Sequence, residues 1–143
     1  MVHHRVVCLS PILFLIMMND FPKLSTNVCS GFFADDSTVW ESGSTLSLME
    51  SSLQSSLNTI SEWCKTWGFI INVNKTEAIL FTRKKTLTMP KLLINNNLVT
   101  FKSFVKMLGI TLDNKLTWKL HINTIKERTD KNLNILRQLT HNE

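Results

Sequence analysis

Cysteine is scarce in this chain. The three present (Cys8, Cys29 and Cys64) are odd in number and irregularly spaced, which argues against a disulfide framework. No Cys/His group has the spacing of zinc ligands, so a structural zinc site is not favoured, and this usage fits a reducing compartment. Long apolar runs are missing as well. Val6 to Met18 is mostly apolar but falls short of the roughly 20 residues a membrane helix needs. With basic Met1 to Arg5 before it, that run has the outline of a signal peptide. Ser10-Pro11 interrupts it, however, and no small-x-small cleavage site follows promptly. An intracellular location, nuclear or cytoplasmic, is therefore the expectation rather than secretion. No internal repeat and no low-complexity tract occurs.

What is present is a globular composition: 143 residues, 43% apolar and 19% charged. That length allows one modest domain and not two ordinary ones. The net charge of +5 conceals an asymmetry. Residues 1–81 hold four Lys/Arg (Arg5, Lys23, Lys65, Lys75) against seven Asp/Glu, or −3; residues 82–143 hold twelve against four, or +8. A basic half beside clustered carboxylates suits a protein that grips a polyanion and works on it with metal. A solvated basic surface is the plainer alternative.

Along the chain, Pro11 to Met18 reads as a buried helix with Pro11 near its first turn, and Asn19-Asp20-Phe21-Pro22 breaks it. Val28 to Phe33 and Thr38 to Trp40 flank Ala34-Asp35-Asp36-Ser37, a hairpin with an acidic pair at its turn. Leu46, Met49, Leu53, Leu57, Ile60, Trp63 and Trp67 recur every three or four residues, predicting an amphipathic helix. Ser42 or Ser44 is placed to cap it, and Gly68 to end it; Trp63 and Trp67 read as core. Phe69 to Val73 and Thr76 to Phe81 read as strands. Asn95-Asn96-Asn97 marks a second hairpin, and Val105 to Leu112 reads as a strand with Gly109 inside it, a position where a bulge would fit. From Trp118 to Leu139 a final helix carries Lys126, Arg128, Lys131 and Arg137 opposite its apolar positions. The expected class is α+β, helices packed on an antiparallel sheet.

Asp35 and Asp36 are the evident place for chemistry. Two adjacent carboxylates repel unless a cation lies between them, and a hard divalent ion such as Mg²⁺ takes oxygen ligands while keeping waters that a phosphate can replace. Exposed acidic turns are frequent, so the pair alone is a weak signal.

Its surroundings strengthen it. Leu9-Ser10-Pro11-Ile12-Leu13-Phe14 with Asn19-Asp20 comes first, and Phe33-Ala34-Asp35-Asp36 follows. Trp67-Gly68-Phe69 with Asn72 and Asn74-Lys75-Thr76 comes next, and Leu108-Gly109-Ile110-Thr111-Leu112-Asp113 last. In that order, the set resembles the reverse transcriptases of jockey-like non-LTR retrotransposons, from about Val2 to Leu139. The resemblance implies an RNA-directed DNA polymerase fragment of a mobile element. Residues 1–113 would form a partial palm and residues 114–143 the start of a helical thumb. It implies Asp35 as a metal-binding aspartate and Asp36 as its less directly coordinating neighbour. Phe33 stands where the family more often has tyrosine, which this chain lacks entirely, and its ring would pack beside the primer end. Ser10 and Pro11 would line the template and nucleotide site. Lys75 would neutralise phosphate charge or donate a proton to pyrophosphate, and Leu108 and Gly109 resemble the hairpin that grips the primer strand, where a glycine lets the backbone come close. The implied partners are an RNA template, a DNA primer and deoxynucleoside triphosphates, with Mg²⁺ as cofactor and no membrane.

The resemblance departs from its pattern at the start, where the family's Gln and Gly positions fall on Arg5 and Val6. The family's metal-bridging aspartate stands upstream of this motif and has no counterpart here, so the two-metal site is incomplete. The isolated chain is thus expected not to polymerise DNA, with a rate loss on the order of a thousandfold or more. An exposed sheet edge is expected to weaken its fold. A noncatalytic nucleic-acid-binding remnant is the alternative; a small secreted protein with an incidental acidic turn fits the motif order poorly.

Overall fold

The computed structural model describes residues 3–84 and 88–140. In chain order the elements are α1 (His3–Met18), β1 (Val28–Phe33), β2 (Asp36–Glu41), α2 (Leu46–Thr66), a 3₁₀ turn (Val73–Lys75) and β3 (Glu77–Ala78). Then follow β4 (Leu93–Ile94), β5 (Asn97–Leu98), β6 (Thr100–Phe101), β7 (Phe104–Met107), β8 (Ile110–Asp113) and α3 (Lys119–Thr140). The class is α+β, as expected. The strands make separate two-stranded pairs: β1–β2, β4–β5 and β7–β8 antiparallel, and β3–β6 parallel. None of the described helices is long and apolar enough to cross a membrane.

The chain divides into two compact units, Met1–Val73 with Pro90–Val99, and Asn74–Met89 with Thr100–Glu143. In the first, α2 is the organiser. It packs against the β1–β2 hairpin on one side and receives β4 on another. Gln54 fixes β4, its amide donating to the Leu93 carbonyl at 2.9 Å and its Oε1 accepting from the Leu93 N–H at 2.7 Å. Asn95 and Asn96 turn β4 into β5 with φ of 50° and 64°, a conformation asparagine tolerates better than most residues. Among the described residues, Val28, Leu92, Ile94 and Val99 are the buried apolar side chains, and all four belong to this unit.

Several expectations need correction. Pro11 stands in the middle of α1 rather than in its first turn, where its missing N–H leaves one backbone carbonyl without its helical donor. Nor is this helix buried: Ile12, Leu13, Leu15 and Ile16 are all more than half exposed. The cap of α2 is Thr45, without a side-chain hydrogen bond, rather than Ser42 or Ser44. Its other end follows the reading, with Gly68 left-handed at φ 74°. Gly68 N–H bonds to Lys65 O and Phe69 N–H to Cys64 O at 2.7 Å, the paired bonds of a Schellman ending. That ending removes the strand expected at 69–73. Phe69 spends its N–H on the helix and stacks its ring on Trp63, centroids 6.1 Å apart, while Ile70 is 93% exposed. The next expected strand shrinks to Glu77–Ala78. Trp63 is half-buried, but Trp67 is exposed and donates its indole N–H to Asp20 at 3.3 Å.

In the second unit, the segment expected to be one strand over 105–112 reverses at Leu108-Gly109 to make β7 and β8. Both turn residues have positive φ, 48° and 85°, as a two-residue type I′ turn requires. Gly109 is therefore not a bulge. A Cβ there would meet nothing within 4 Å, so backbone conformation is the reason for glycine. Lys102 pairs with Glu77 and ties β6 to β3.

Candidate active site

The β1–β2 ladder runs from Val28↔Glu41 to Phe33↔Asp36, leaving Ala34 and Asp35 as a two-residue loop. Ala34 adopts φ 52° and Asp35 does not have positive φ, the pattern of a type II′ turn, whose first loop position favours glycine. An alanine held there stores backbone strain of about 1 kcal/mol. Ala34→Gly is accordingly expected to stabilise the hairpin by about 0.5–1 kcal/mol; a urea midpoint that falls would contradict this. The strained turn thrusts Asp35 and Asp36 side by side into solvent, both exposed, with Phe33 64% exposed beside them.

Alternation along the ladder gives the hairpin two faces. Val28, Ser30, Phe32, Ser37, Val39 and Glu41 share one and Cys29, Gly31, Phe33, Asp36, Thr38 and Trp40 the other. The first face holds the hairpin to α2. Phe32 meets Phe21 edge-on at 4.5 Å, and Phe21 meets Trp63 at 5.3 Å. At the hairpin's base, Ser52 of α2 donates its hydroxyl to the Glu41 carboxylate. Ser25 donates its N–H to the nearly inaccessible Ser56 Oγ at 3.2 Å and its hydroxyl to Ser52 O at 3.3 Å. Small serines on α2 let the hairpin and the loop before it approach closely, and their hydrogen bonds replace water there. The acidic turn is thus a free tip on an anchored base.

The structure gathers Phe33, Asp35 and Asp36 at this tip. Ser10 and Pro11 belong to the same unit but lie exposed on α1. Lys75 closes the 3₁₀ turn, exposed, and Leu108 and Gly109 form the β7–β8 turn; these three belong to the second unit. The carboxylate oxygens of Asp35 and Asp36 suit a hard divalent cation. Among the described residues no group of three or more His, Cys, Asp or Glu gathers around a point that could hold a metal.

Sequence reading gave no role to Asp113. At the end of β8 its carboxylate accepts from the N–H groups of Lys115, Thr117 and Trp118 at 2.9–3.1 Å and from the Thr117 hydroxyl at 3.1 Å. Leu116 and Trp118 between it and α3 have φ of 53° and 65°, each costing on the order of 1–2 kcal/mol for a non-glycine residue. The hydrogen bonds to Asp113 hold the link in that shape. The signal available was an aspartate a few residues ahead of a helix, a capping residue type. The Thr117 N–H, above all, holds the Asp113 carboxyl below its ordinary range; the N–H groups of Lys115 and Trp118 and the Thr117 hydroxyl add to this, and burial opposes it. Folding therefore favours the charged form. Its stabilisation is fully present above the unfolded value of about 3.9 and is lost as pH falls through the lower folded value. The Thr117 and Trp118 amide resonances should hold their positions down to pH 4 and shift below it; a midpoint above the unfolded value would reverse the sign.

Comparison with known proteins gives these positions a setting. Residues 7–112 match the reverse transcriptase (RNA-dependent DNA polymerase) family. The chain is 29% identical over 126 residues to the RNA-directed DNA polymerase from mobile element jockey of Drosophila melanogaster, covering 83% of this chain and 14% of that protein. It is 29% identical over 125 residues to the jockey polymerase of Drosophila funebris, 82% of this chain and 14% of that one. It is 32% identical over 109 residues to the probable RNA-directed DNA polymerase from transposon BS of Drosophila melanogaster, 75% of this chain and 12% of that protein. The chain thus spans about one seventh of the length of these relatives. No solved structure matches it.

Proposed function

Because the chain belongs to the reverse transcriptase (RNA-dependent DNA polymerase) family, we propose that it is the part of a jockey-like mobile-element polymerase that carries the acidic hairpin of the nucleotidyl-transfer site. One observation carries this reading: Asp35 and Asp36 project together from a strained two-residue turn inside the matched span, on a hairpin anchored to α2. Residues 1–113 supply part of the palm and residues 114–143 the start of the thumb.

Polymerisation joins a primer 3′ hydroxyl to the α-phosphate of a deoxynucleoside triphosphate and expels pyrophosphate. Mg²⁺, when bound, supplies activation of the attacking hydroxyl and stabilisation of the leaving oxygens. Asp35 would hold the ion directly, and Asp36 would keep the local field negative beside it. Phe33 offers an exposed ring for the primer's last base. Lys75 is the candidate to neutralise phosphate charge or protonate pyrophosphate. Ser10 and Pro11 would line the template and nucleotide side, and Leu108-Gly109 the primer strand. RNA template and DNA primer are the proposed partners.

A second reading, a noncatalytic nucleic-acid-binding segment, is favoured by a different observation: the two carboxylates have no third partner among the described residues, while residues 82–143 carry +8. Binding of the purified chain to an RNA–DNA hybrid is common to both readings. Titration at several salt concentrations should give log affinity falling with log salt at a slope of about −3, as three neutralised phosphates predict. Affinity that ignores salt would remove nucleic acid as the partner. Primer extension by the jockey polymerase of Drosophila melanogaster carrying residues 7–112 in place of its matching segment then separates the two readings. Extension supports the first, and a folded chimera that binds the hybrid without extending it supports the second.

A further inference from the structure

We propose that Asp113 is a positioning residue: it locks α3 to the β7–β8 hairpin, so that the Leu108-Gly109 turn and the basic side of α3 meet one nucleic-acid duplex as a single rigid piece. This rests on the reading of hairpin and helix as nucleic-acid contacts given above. The residues between β8 and α3, Asn114 to Trp118, include no glycine, yet two of them hold left-handed backbone. Conformations that an unconstrained chain avoids persist where surrounding contacts over-determine them. Here one side chain provides those contacts, since the Asp113 carboxylate accepts from Lys115, Thr117 and Trp118 N–H and from the Thr117 hydroxyl. The Leu116 N–H adds a bond to Asp113 O at 2.9 Å.

A second brace lies just inside α3. His121 Nδ1 accepts the Thr111 N–H of β8 at 3.4 Å, and its ring meets Trp118 edge-on at 6.5 Å. Hairpin and helix are therefore fixed to one another on both sides of the strained link. The fixed helix carries Lys119, Lys126 and Arg137, spaced by seven and eleven residues and so aligned on one side, three cations against the single carboxylate of Asp130 on the same stripe. From Lys119 to Lys126 is about 10 Å along the axis, and from Asp113 back to Gly109 about 14 Å along β8. Two contacts on one rigid body bind with the advantage of an intramolecular second step. A link that swings must lose that freedom on binding, which lowers affinity.

The test uses the full chain and a fluorescent RNA–DNA hybrid at one fixed salt concentration. Asp113→Ala is expected to weaken binding about tenfold and Asp113→Asn, which keeps one acceptor oxygen, about threefold. Thr117 and Trp118 amide exchange should quicken in both, with far-UV circular dichroism unchanged. Lys126→Ala should cost about threefold in the wild-type background and almost nothing in Asp113→Ala, a coupling that local destabilisation alone would not produce. If Asp113→Ala proves unfolded, Asp113→Asn carries the comparison. A folded variant that binds like wild type, or a Lys126→Ala effect equal in both backgrounds, overturns the proposal. Wild-type chain that fails to bind the hybrid overturns the nucleic-acid reading instead, and unchanged amide exchange in Asp113→Ala would then overturn the brace as well.

Discussion

Asparagine in place of Asp35 should lower nucleotide incorporation on the order of a thousandfold or more, measured where residues 7–112 replace the matching segment of the jockey polymerase of Drosophila melanogaster. The substitution is chosen for what it leaves alone. Asparagine has the shape of aspartate and is at home in turns, so the Ala34–Asp35 loop and the Phe33↔Asp36 pair should survive. What disappears is one negative charge and the better of two oxygen ligands for a hard cation. Asp36→Asn should cost less, because Asp36 already belongs to β2 and its backbone direction is set by the ladder. Extension of a DNA primer on an RNA template with Mg²⁺ is the assay, with hybrid affinity measured in parallel. Asp35→Asn that retains a tenth of the activity would mean that the tip is not the metal ligand. Loss of hybrid affinity along with activity would point to a collapsed hairpin rather than a missing ligand.

The parts of this molecule legible in its sequence are those governed by local rules. The apolar stripe from Leu46 to Trp63 gave α2, and the alternation on either side of Ala34-Asp35 gave the hairpin and put its acidic pair at the tip. Gly68 gave the helix end, because a left-handed residue after the last turn is a backbone requirement that glycine meets most easily. What was not legible depended on competition. Phe69-Ile70-Ile71 has strand composition, but the N–H of Phe69 is claimed by the helix before it and its ring by Trp63. The Leu108-Gly109 hairpin was legible only through the family resemblance; residue preference alone read one strand there, since a leucine at φ 48° contradicts its own preference and is tolerated beside Gly109. Asp113 looked like the end of a strand motif. Its role is set by the N–H groups of three later residues, whose directions depend on two strained backbone positions. At the candidate site, residue types and the turn were readable, whereas the serine bonds that anchor the hairpin at Ser25, Ser52 and Ser56 were not. Spacing puts Ser56 on the apolar stripe, seven residues after Met49 and seven before Trp63, and exposed Ser55 off it, but no local rule names the distant partner of a serine hydroxyl.

Removing a single buried side chain should damage the first unit far more than removing an exposed one of like size. Its core is narrow: Ile94 at 3% exposure, Val99 at 4%, Leu92 at 6% and Val28 at 9%. Ile94→Ala takes away apolar contact and leaves a cavity, a loss of about 2–4 kcal/mol, against a total that for a small domain lies near the lower end of about 5–15 kcal/mol. Leu48, on α2 in the same unit, is 67% exposed, and Leu48→Ser should change stability by no more than about 0.5 kcal/mol. The contrast tests whether β4, pinned to α2 by Gln54, is the keystone of the unit. Urea titration followed by tryptophan fluorescence reads it directly, since Trp63 sits half-buried between Phe21 and Phe69. Equal midpoints for Ile94→Ala and Leu48→Ser would mean that the four buried side chains do not form the stabilising core. Stability would then have to come from the aromatic cluster around Trp63. A collapse of the Ile94→Ala transition, with Leu48→Ser unchanged, would show that the acidic hairpin stands on a base held by very few side chains.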